Sequence, residues 1–281
     1  MTRNRAFKQV DVFTSVPLLG NPVAVILDAA GLDDVAMQRI ANWTNLSETT
    51  FVLPARDPAA DYAVRIFTPR CELPFAGHPT LGTAHAVVEA GIAAPTAGLL
   101  VIECAVGLVD VTVSADGLSF RLPRYSLAEA DTPDELIAAI GGAALLAKPP
   151  ATVDVGPRWM IAELVSADAV EQLAVNLPAL AAYNERTATT GLTVFAAKGD
   201  GIVVRSFAPT DGLVEDPVCG SGNGAVAAFR LLNGAIGDGA AYVASQGRQM
   251  GRDGYVNVRI DGGDIHVGGS CVTCIDGVFK L

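Results

Sequence analysis

The chain has 281 residues, with 30 Asp and Glu against 19 Lys and Arg, a formal net charge of −11. That excess of acid leaves no electrostatic footprint for a phosphate backbone and argues against nucleic acid or an anionic membrane as a partner. With 51% hydrophobic and 17% charged residues, the composition suits a folded protein of enzyme size, long enough for two domains.

The first residues, Met1-Thr-Arg-Asn-Arg-Ala-Phe-Lys-Gln9, lack the apolar stretch of a signal peptide. No apolar run approaches the roughly 20 residues that span a bilayer, so the expected location is cytoplasmic. The five cysteines are too few and too scattered for a secreted disulfide scaffold and read as reduced thiols.

Periodicity predicts a first helix over 33–43. Asn45-Leu-Ser-Glu48 then leads into the β-branched strand Thr49-Thr-Phe-Val-Leu53, placing Glu48 where a strand leaves a loop. Most glutamates in such places are merely solvated.

Val64-Arg-Ile-Phe-Thr-Pro69 follows, and it recurs as Val204-Arg-Ser-Phe-Ala-Pro209, at an offset of 140 residues, close to half the chain. After each copy come an acidic stretch, a glycine turn and a helix of small residues, expected over 80–90 and 224–233. A duplicated two-domain fold explains the repetition. Between the copies, alternating strands are expected at 108–113 and 118–122, joined by the turn Ala115-Asp-Gly117.

The proline-rich segment 122–133, with Lys148-Pro-Pro150, is the expected crossing between halves. A helix over 133–140 is entered by Thr132-Pro133 as cap and first-turn proline, and a further helix is expected at 178–183. Strands at 255–260 and 265–267 flank Asp261-Gly-Gly263. The pattern is that of an α+β protein built on antiparallel pairs, not an alternating βαβ one.

Several residues could carry chemistry. Gly220-Ser221-Gly222-Asn223-Gly224 opens a helix with free backbone N–H groups and a positive end, suited to a carboxylate or a developing oxyanion, with Ser221 as a further donor. Gly77-His78-Pro79-Thr80 opens the first-half helix in the equivalent place, and His78 is one of only three histidines. Asp216-Pro217 brings a carboxylate near the second helix start. Cys219, directly before Gly220, has the setting of a reactive thiol or of small apolar filler. The Cys271-Val-Thr-Cys274 pair has no second pair or neighbouring histidine to complete a metal site, and in a strand its thiols point to opposite faces. No lysine, dinucleotide or metal pattern stands out, so the expected chemistry is cofactor-free.

Three stretches of the first half, Asp11-Val-Phe-Thr with Gly20-Asn-Pro22, Asn45-Leu-Ser-Glu-Thr49, and Phe67-Thr-Pro with Glu72-Leu-Pro-Phe-Ala-Gly-His-Pro-Thr-Leu-Gly-Thr-Ala84, together with Asp216-Pro-Val-Cys-Gly-Ser221 in the second, resemble the phenazine-biosynthesis PhzF family. The resemblance runs from about residue 7 to the C-terminus. It implies a diaminopimelate epimerase-like fold of two similar domains, each an antiparallel β-barrel-like sheet around a central helix, with the active site in the cleft between them. The expected division is residues 1–122 plus 269–281 and residues 123–268.

Carried over residue by residue, the resemblance implies Glu48 as the catalytic acid/base and His78, Asp216 and Ser221 as substrate contacts, with Gly77 and Gly220 supplying backbone donors. The family's reference reaction is isomerisation of a dihydro-hydroxyanthranilate by proton removal and return, without cofactor or metal. A small carboxylate-bearing substrate, a biosynthetic role and a homodimer are expected from it. Epimerase relatives use a cysteine at each helix start. This chain has Cys219 at the second but Ala76 at the first, with Cys71 five residues too early, which argues against a two-thiol mechanism. A Cys219-based epimerase of an amino or hydroxy acid, and a non-catalytic binder of a small metabolite, are the alternatives.

Overall fold

A computed structural model describes residues 3–142 and 146–281 of the chain. In order, the elements are β1 (Asn4–Val12), β2 (Asn21–Ile26), α1 (Asp34–Thr44), β3 (Thr49–Leu53), β4 (Tyr62–Phe67), β5 (Glu72–Leu73), α2 (Gly77–Glu89), β6 (Leu99–Cys104), β7 (Gly107–Ser114) and β8 (Gly117–Arg121). There follow β9 (Ser126–Glu129), α3 (Pro133–Ala139), β10 (Ala151–Asp154), β11 (Arg158–Glu163), α4 (Ala167–Glu171), α5 (Leu177–Thr187), β12 (Gly191–Lys198) and β13 (Gly201–Ala208). The last are β14 (Leu213–Asp216), α6 (Gly220–Leu232), β15 (Ala241–Gln246), β16 (Gly254–Asp261), β17 (Asp264–Gly269) and β18 (Cys271–Lys280). These group into two compact units, Met1–Phe120 with Gly268–Leu281, and Arg121–Val267.

In the first unit, β1 pairs antiparallel with β18 on one side and with β2 on the other. Strand β2 runs parallel to β3, β3 antiparallel to β4, β4 parallel to β6 and β6 antiparallel to β7. The second unit repeats this ladder step for step. Strand β10 pairs antiparallel with β9 and β11, β11 runs parallel to β12, β12 antiparallel to β13, β13 parallel to β15 and β15 antiparallel to β16. The two copies of the sequence repeat fall on the equivalent strands β4 and β13.

The sheets are therefore mixed, where the sequence suggested antiparallel pairing throughout. Parallel neighbours need a long crossover. The chain supplies one at each parallel step, through α1 between β2 and β3, α2 between β4 and β6, α4 and α5 between β11 and β12, and α6 between β13 and β15.

Helices α2 and α6 are buried on nearly every face, with ten and nine buried residues among their thirteen. A helix that is wet on no side must be narrow enough for strands to close around it, which is the use of its small residues. A Cβ on Gly82 would stand 2.4 Å from Cγ1 of Val23 and 2.9 Å from Cγ2 of Val12, so β1 and β2 lie against the α2 backbone itself. Separate clusters pack outside the helices. Met37, Ile40 and Ala41 of α1 meet Ile26, Phe51 and Phe67 in the first unit. Leu180 and Tyr183 of α5 meet Met160, Leu192 and Val194 in the second.

Local expectations differ in two places. Thr132 does not cap α3 through its side chain. Its backbone is left-handed, at φ 42°, and its hydroxyl accepts from Nη2 of Arg186 at 2.7 Å. Helix α4, unread in the sequence, is a five-residue turn capped by Ser166, whose hydroxyl accepts the Ala169 N–H at 3.1 Å. No described helix is long and apolar enough to cross a membrane.

Candidate functional site

In the first unit the turn before β3 is set by Asn45, which closes α1 in the left-handed region at φ 55°. Asparagine tolerates that conformation better than other side chains bearing a Cβ. Its amide returns to the Ala41 carbonyl, and three residues later the Glu48 carbonyl accepts the Ala24 N–H at 3.4 Å. Glu48 is thereby fixed where β3 starts beside β2. Hydroxyls tie β3 to the first turn of α2, with Thr83 Oγ1 2.7 Å from Thr50 Oγ1 and 2.6 Å from the Pro79 carbonyl.

That arrangement sets Glu48 Oε2 3.3 Å from His78 Nε2, with the two side chains 14% and 7% exposed. Burial pulls the His78 ring down to about 3, so it is neutral at physiological pH. The ring also hydrogen-bonds to backbone at Pro22, where only a carbonyl is available, so the imidazole is the donor. Pro22 lies at the start of β2, opposite Asp11 of β1, and Asp11 also holds the approach to that strand, its Oδ2 accepting the Gly20 N–H at 3.3 Å. A Cβ at Gly20 would meet the Val12 carbonyl oxygen at 2.3 Å, so the approach needs glycine there. Gly77 opens α2 after Ala76, which caps nothing with its side chain. Gly77 also makes room for Phe120, whose Cζ would lie 2.7 Å from an added Cβ.

In the second unit Cys219 caps α6, its Sγ accepting the Gly222 N–H at 3.2 Å. Asp216 accepts the Val218 N–H at 3.0 Å and is hydrogen-bonded to the Cys219 thiol. Burial raises the Asp216 carboxyl to about 6, against the lowering by those two bonds. Burial, and then the Asp216 charge, push the thiol well above 9. Cys219 is therefore a protonated donor to Asp216 and a helix cap, a setting opposed to a reactive thiolate.

Ser221 stands next in line, and its Oγ accepts Nε1–H of Trp159 at 3.1 Å. The Asp216–Gly220 segment is clamped from behind by Gln246. Its Oε1 accepts from the Cys219 amide at 3.2 Å and from Asn223 Nδ2 at 2.9 Å, and its Nε2 donates to the Asp216 carbonyl at 3.0 Å. Local sequence points to neither Trp159 nor Gln246, because each reaches the start of α6 from a distant strand; Asn223 stands in the glycine-rich run itself, and its side-chain role shows only in the fold.

The structure thus brings Glu48, His78 and Gly77 together in one unit and Asp216, Cys219, Gly220 and Ser221 together in the other. At the helix starts Ala76 corresponds to Cys219 and His78 to Ser221, so the duplicated frame carries different chemistry in each copy. Among the described residues no three His, Cys, Asp or Glu side chains converge as a metal site would require.

Two units carry the same mixed ladder, each with a buried helix whose first turn bears polar groups, and this fold is shared with solved racemase and epimerase structures. A hydroxyproline epimerase from Agrobacterium vitis superposes with a TM-score of 0.70 over 99% of this chain and 92% of that one, at 15% identity, which is a likeness of fold alone. The chain belongs to the PhzC-PhzF family of phenazine biosynthesis-like proteins, whose model matches residues 10–277. A PhzF-family protein from Bacillus anthracis superposes with a TM-score of 0.86 over 99% of both chains, at 26% identity. By sequence the chain is 39% identical to Antisense-enhancing sequence 1 of Schizosaccharomyces pombe, over 97% of both chains. It is 36% identical to trans-2,3-dihydro-3-hydroxyanthranilate isomerase of Pseudomonas fluorescens, over 90% of this chain and 89% of that enzyme.

Proposed function

We propose that the protein is an isomerase that removes a proton from carbon and returns it elsewhere on a small carboxylate-bearing substrate, with Glu48 as the acid/base and no cofactor. The observation that carries this reading is the Glu48–His78 pair, a carboxyl group 3.3 Å from an imidazole that burial keeps neutral. With its other nitrogen engaged at Pro22, the ring presents Nε2 to Glu48 as an acceptor. That contact is attractive when the Glu48 carboxyl holds the proton, and it leaves the proton mobile when a basic carbon approaches. His78 on this reading orients the Glu48 carboxyl group.

In the second unit Gly220 and Ser221 offer donors suited to the substrate's carboxylate, and Asp216, raised to about 6, is a carboxyl that can hold or release a proton near neutral pH. The relatives named trans-2,3-dihydro-3-hydroxyanthranilate isomerase make that compound, or a close analogue, the first substrate to try.

Turnover of trans-2,3-dihydro-3-hydroxyanthranilate in deuterated water tests the proposal. Wild-type protein should incorporate deuterium at carbon and Glu48→Gln should lose turnover while still binding. Full activity in Glu48→Gln would sink the assignment. The epimerase alternative based on Cys219 is disfavoured by the upward shift of its thiol and by its engagement with both Gly222 and Asp216.

A further inference from the structure

We infer that Trp159 is a positioning residue that fixes the polarity of Ser221, so that the serine hydroxyl offers its proton to a ligand acceptor, a carboxylate oxygen, at the start of α6. The inference rests on the reading above that Ser221 meets substrate, and it adds which way the hydrogen bond runs and what sets that direction.

An indole N–H can only donate. Its 3.1 Å bond to Ser221 Oγ therefore makes the serine oxygen the acceptor. The ring has little freedom to turn away. Trp159 is 3% exposed and sits in β11 directly opposite Gly191 of β12. A Cβ at Gly191 would stand 2.8 Å from Cζ3 of the indole and 2.1 Å from the Phe207 carbonyl oxygen, so the glycine is the slot into which the indole fits.

The other neighbour of Ser221 is also directional. Cys219 Sγ, 3.6 Å away, already accepts the Gly222 N–H, and its thiol is hydrogen-bonded to Asp216. The serine proton then has two outlets, a long contact to a weakly accepting sulfur or a ligand oxygen. An anionic oxygen is much the stronger acceptor, and a hydroxyl that is itself accepting a hydrogen bond donates more strongly. Ser221 is half-buried and Trp159 is enclosed, so the indole acts through the hydroxyl without touching the ligand. A carboxylate is favoured over a neutral carboxamide at this position.

The test is calorimetric titration of the full chain with 3-hydroxyanthranilate and with 3-hydroxyanthranilamide, which differ only at the carboxyl position. Wild-type protein should prefer the acid. Trp159→Phe should weaken binding of the acid about tenfold, the scale of one hydrogen bond to a charged group, and leave the amide within about threefold. Ser221→Ala should do the same, and the double variant should be no worse than Ser221→Ala alone. Losses that add in the double variant, equal losses for acid and amide, or no binding of either probe to wild type would overturn the inference.

Should Trp159→Phe fail to fold, wild-type and Ser221→Ala proteins still decide the matter. The indole N–H resonance of Trp159, told from Trp43 by Trp43→Phe, should shift in Ser221→Ala and again when 3-hydroxyanthranilate binds; an unmoved resonance refutes it. None of these readouts involves turnover, so an inactive protein that binds as described would overturn the isomerase reading and leave this one standing.

Discussion

Glu215 holds Arg205 through both carboxylate oxygens, with Oε1 2.9 Å from Nε and Oε2 2.8 Å from Nη2. The same fork appears in the first unit, where Arg65 Nε and Nη2 lie 2.7 and 2.6 Å from Glu72. Both arginines sit in the repeated hexapeptide, and each guanidinium also lies over the aromatic ring two residues on, Phe67 or Phe207. The two forks differ in exposure, with Arg205 and Glu215 each 9% exposed and Arg65 and Glu72 at 27% and 36%. Arg205 further donates to the carbonyls of Val170 and Leu173.

That difference sets unequal costs for the same substitution. Glu215→Ala should lose about 3–5 kcal/mol, because it strands a buried guanidinium. Glu72→Ala should lose no more than about 1 kcal/mol, because water can replace the carboxylate. Denaturant titration of both variants measures the contrast, and equal losses would contradict it.

The proton chemistry gives a second expectation. Glu48→Gln keeps the shape of the side chain and removes its acid, and turnover should fall by about 10²–10⁴-fold, the usual share of a general acid or base. Binding of an unreactive analogue, followed by calorimetry, should change little.

Opposite pH responses are expected in the two units. His78 titrates at about 3 in the fold against an ordinary value of 6.5. Between those values the unfolded chain binds the extra proton, so this group makes the first unit gain stability as pH rises from about 3 to 6.5. Asp216 titrates at about 6 against 3.8. There the folded chain holds the extra proton, so this group makes the second unit lose stability as pH rises from about 4 to 6. The slopes should flatten in His78→Asn and Asp216→Asn respectively. Trp43 and Trp159, one in each unit, provide separate fluorescence signals when the other is replaced by Phe.

Gly82→Ala offers a test in which propensity and packing disagree. Alanine gains up to about 1 kcal/mol over glycine inside a helix. A Cβ 2.4 Å from Val23 Cγ1 and 2.9 Å from Val12 Cγ2 costs about 1–3 kcal/mol in overpacking. A lowered melting temperature is expected, and a raised one would mean that β1 and β2 give way freely.

Thiol accessibility supplies a last check on Cys219. Cys71 is exposed and Cys219 buried, while burial lifts Cys271 to about 12. Titration of the native protein with a thiol reagent should modify Cys71 at once, modify the half-buried Cys271 more slowly, and reach Cys219 only on unfolding. Rapid loss of the Cys219 thiol would revive a role for it as base.

Much of this was legible in the residues. The hexapeptide at Val64 and again at Val204 announced a duplication, and the runs after Gly77 and Gly220 announced helices packed too tightly for large side chains. The helix starts carried His78, Cys219 and Ser221 in recognisable form. What could not be read were relations that cross long stretches of chain. The parallel partners of β3, β6, β12 and β15 depend on where a crossover lands, which no local period encodes. Trp159 and Gln246 read as ordinary strand residues until the fold brings them to a loop that is 62 positions away from the first of them and 27 from the second. Thr132 shows the converse, a strong local cap signal overruled by the pull of Arg186.

The pairing of β1 with β18 has a consequence for how the protein is made. Every residue of β1 lies opposite one from 271–280, beginning with Asn4 against Lys280 and ending with Val12 against Cys271. On the ribosome the whole of the second unit emerges before that partner exists. Until then β1 presents one bare edge of backbone donors and acceptors, the kind of edge that recruits other strands. The second unit has no such wait, since β9 precedes β10 by some twenty residues. Nascent chains should therefore acquire protease resistance in the second unit first, and the first unit should depend most on chaperones that shield exposed strands.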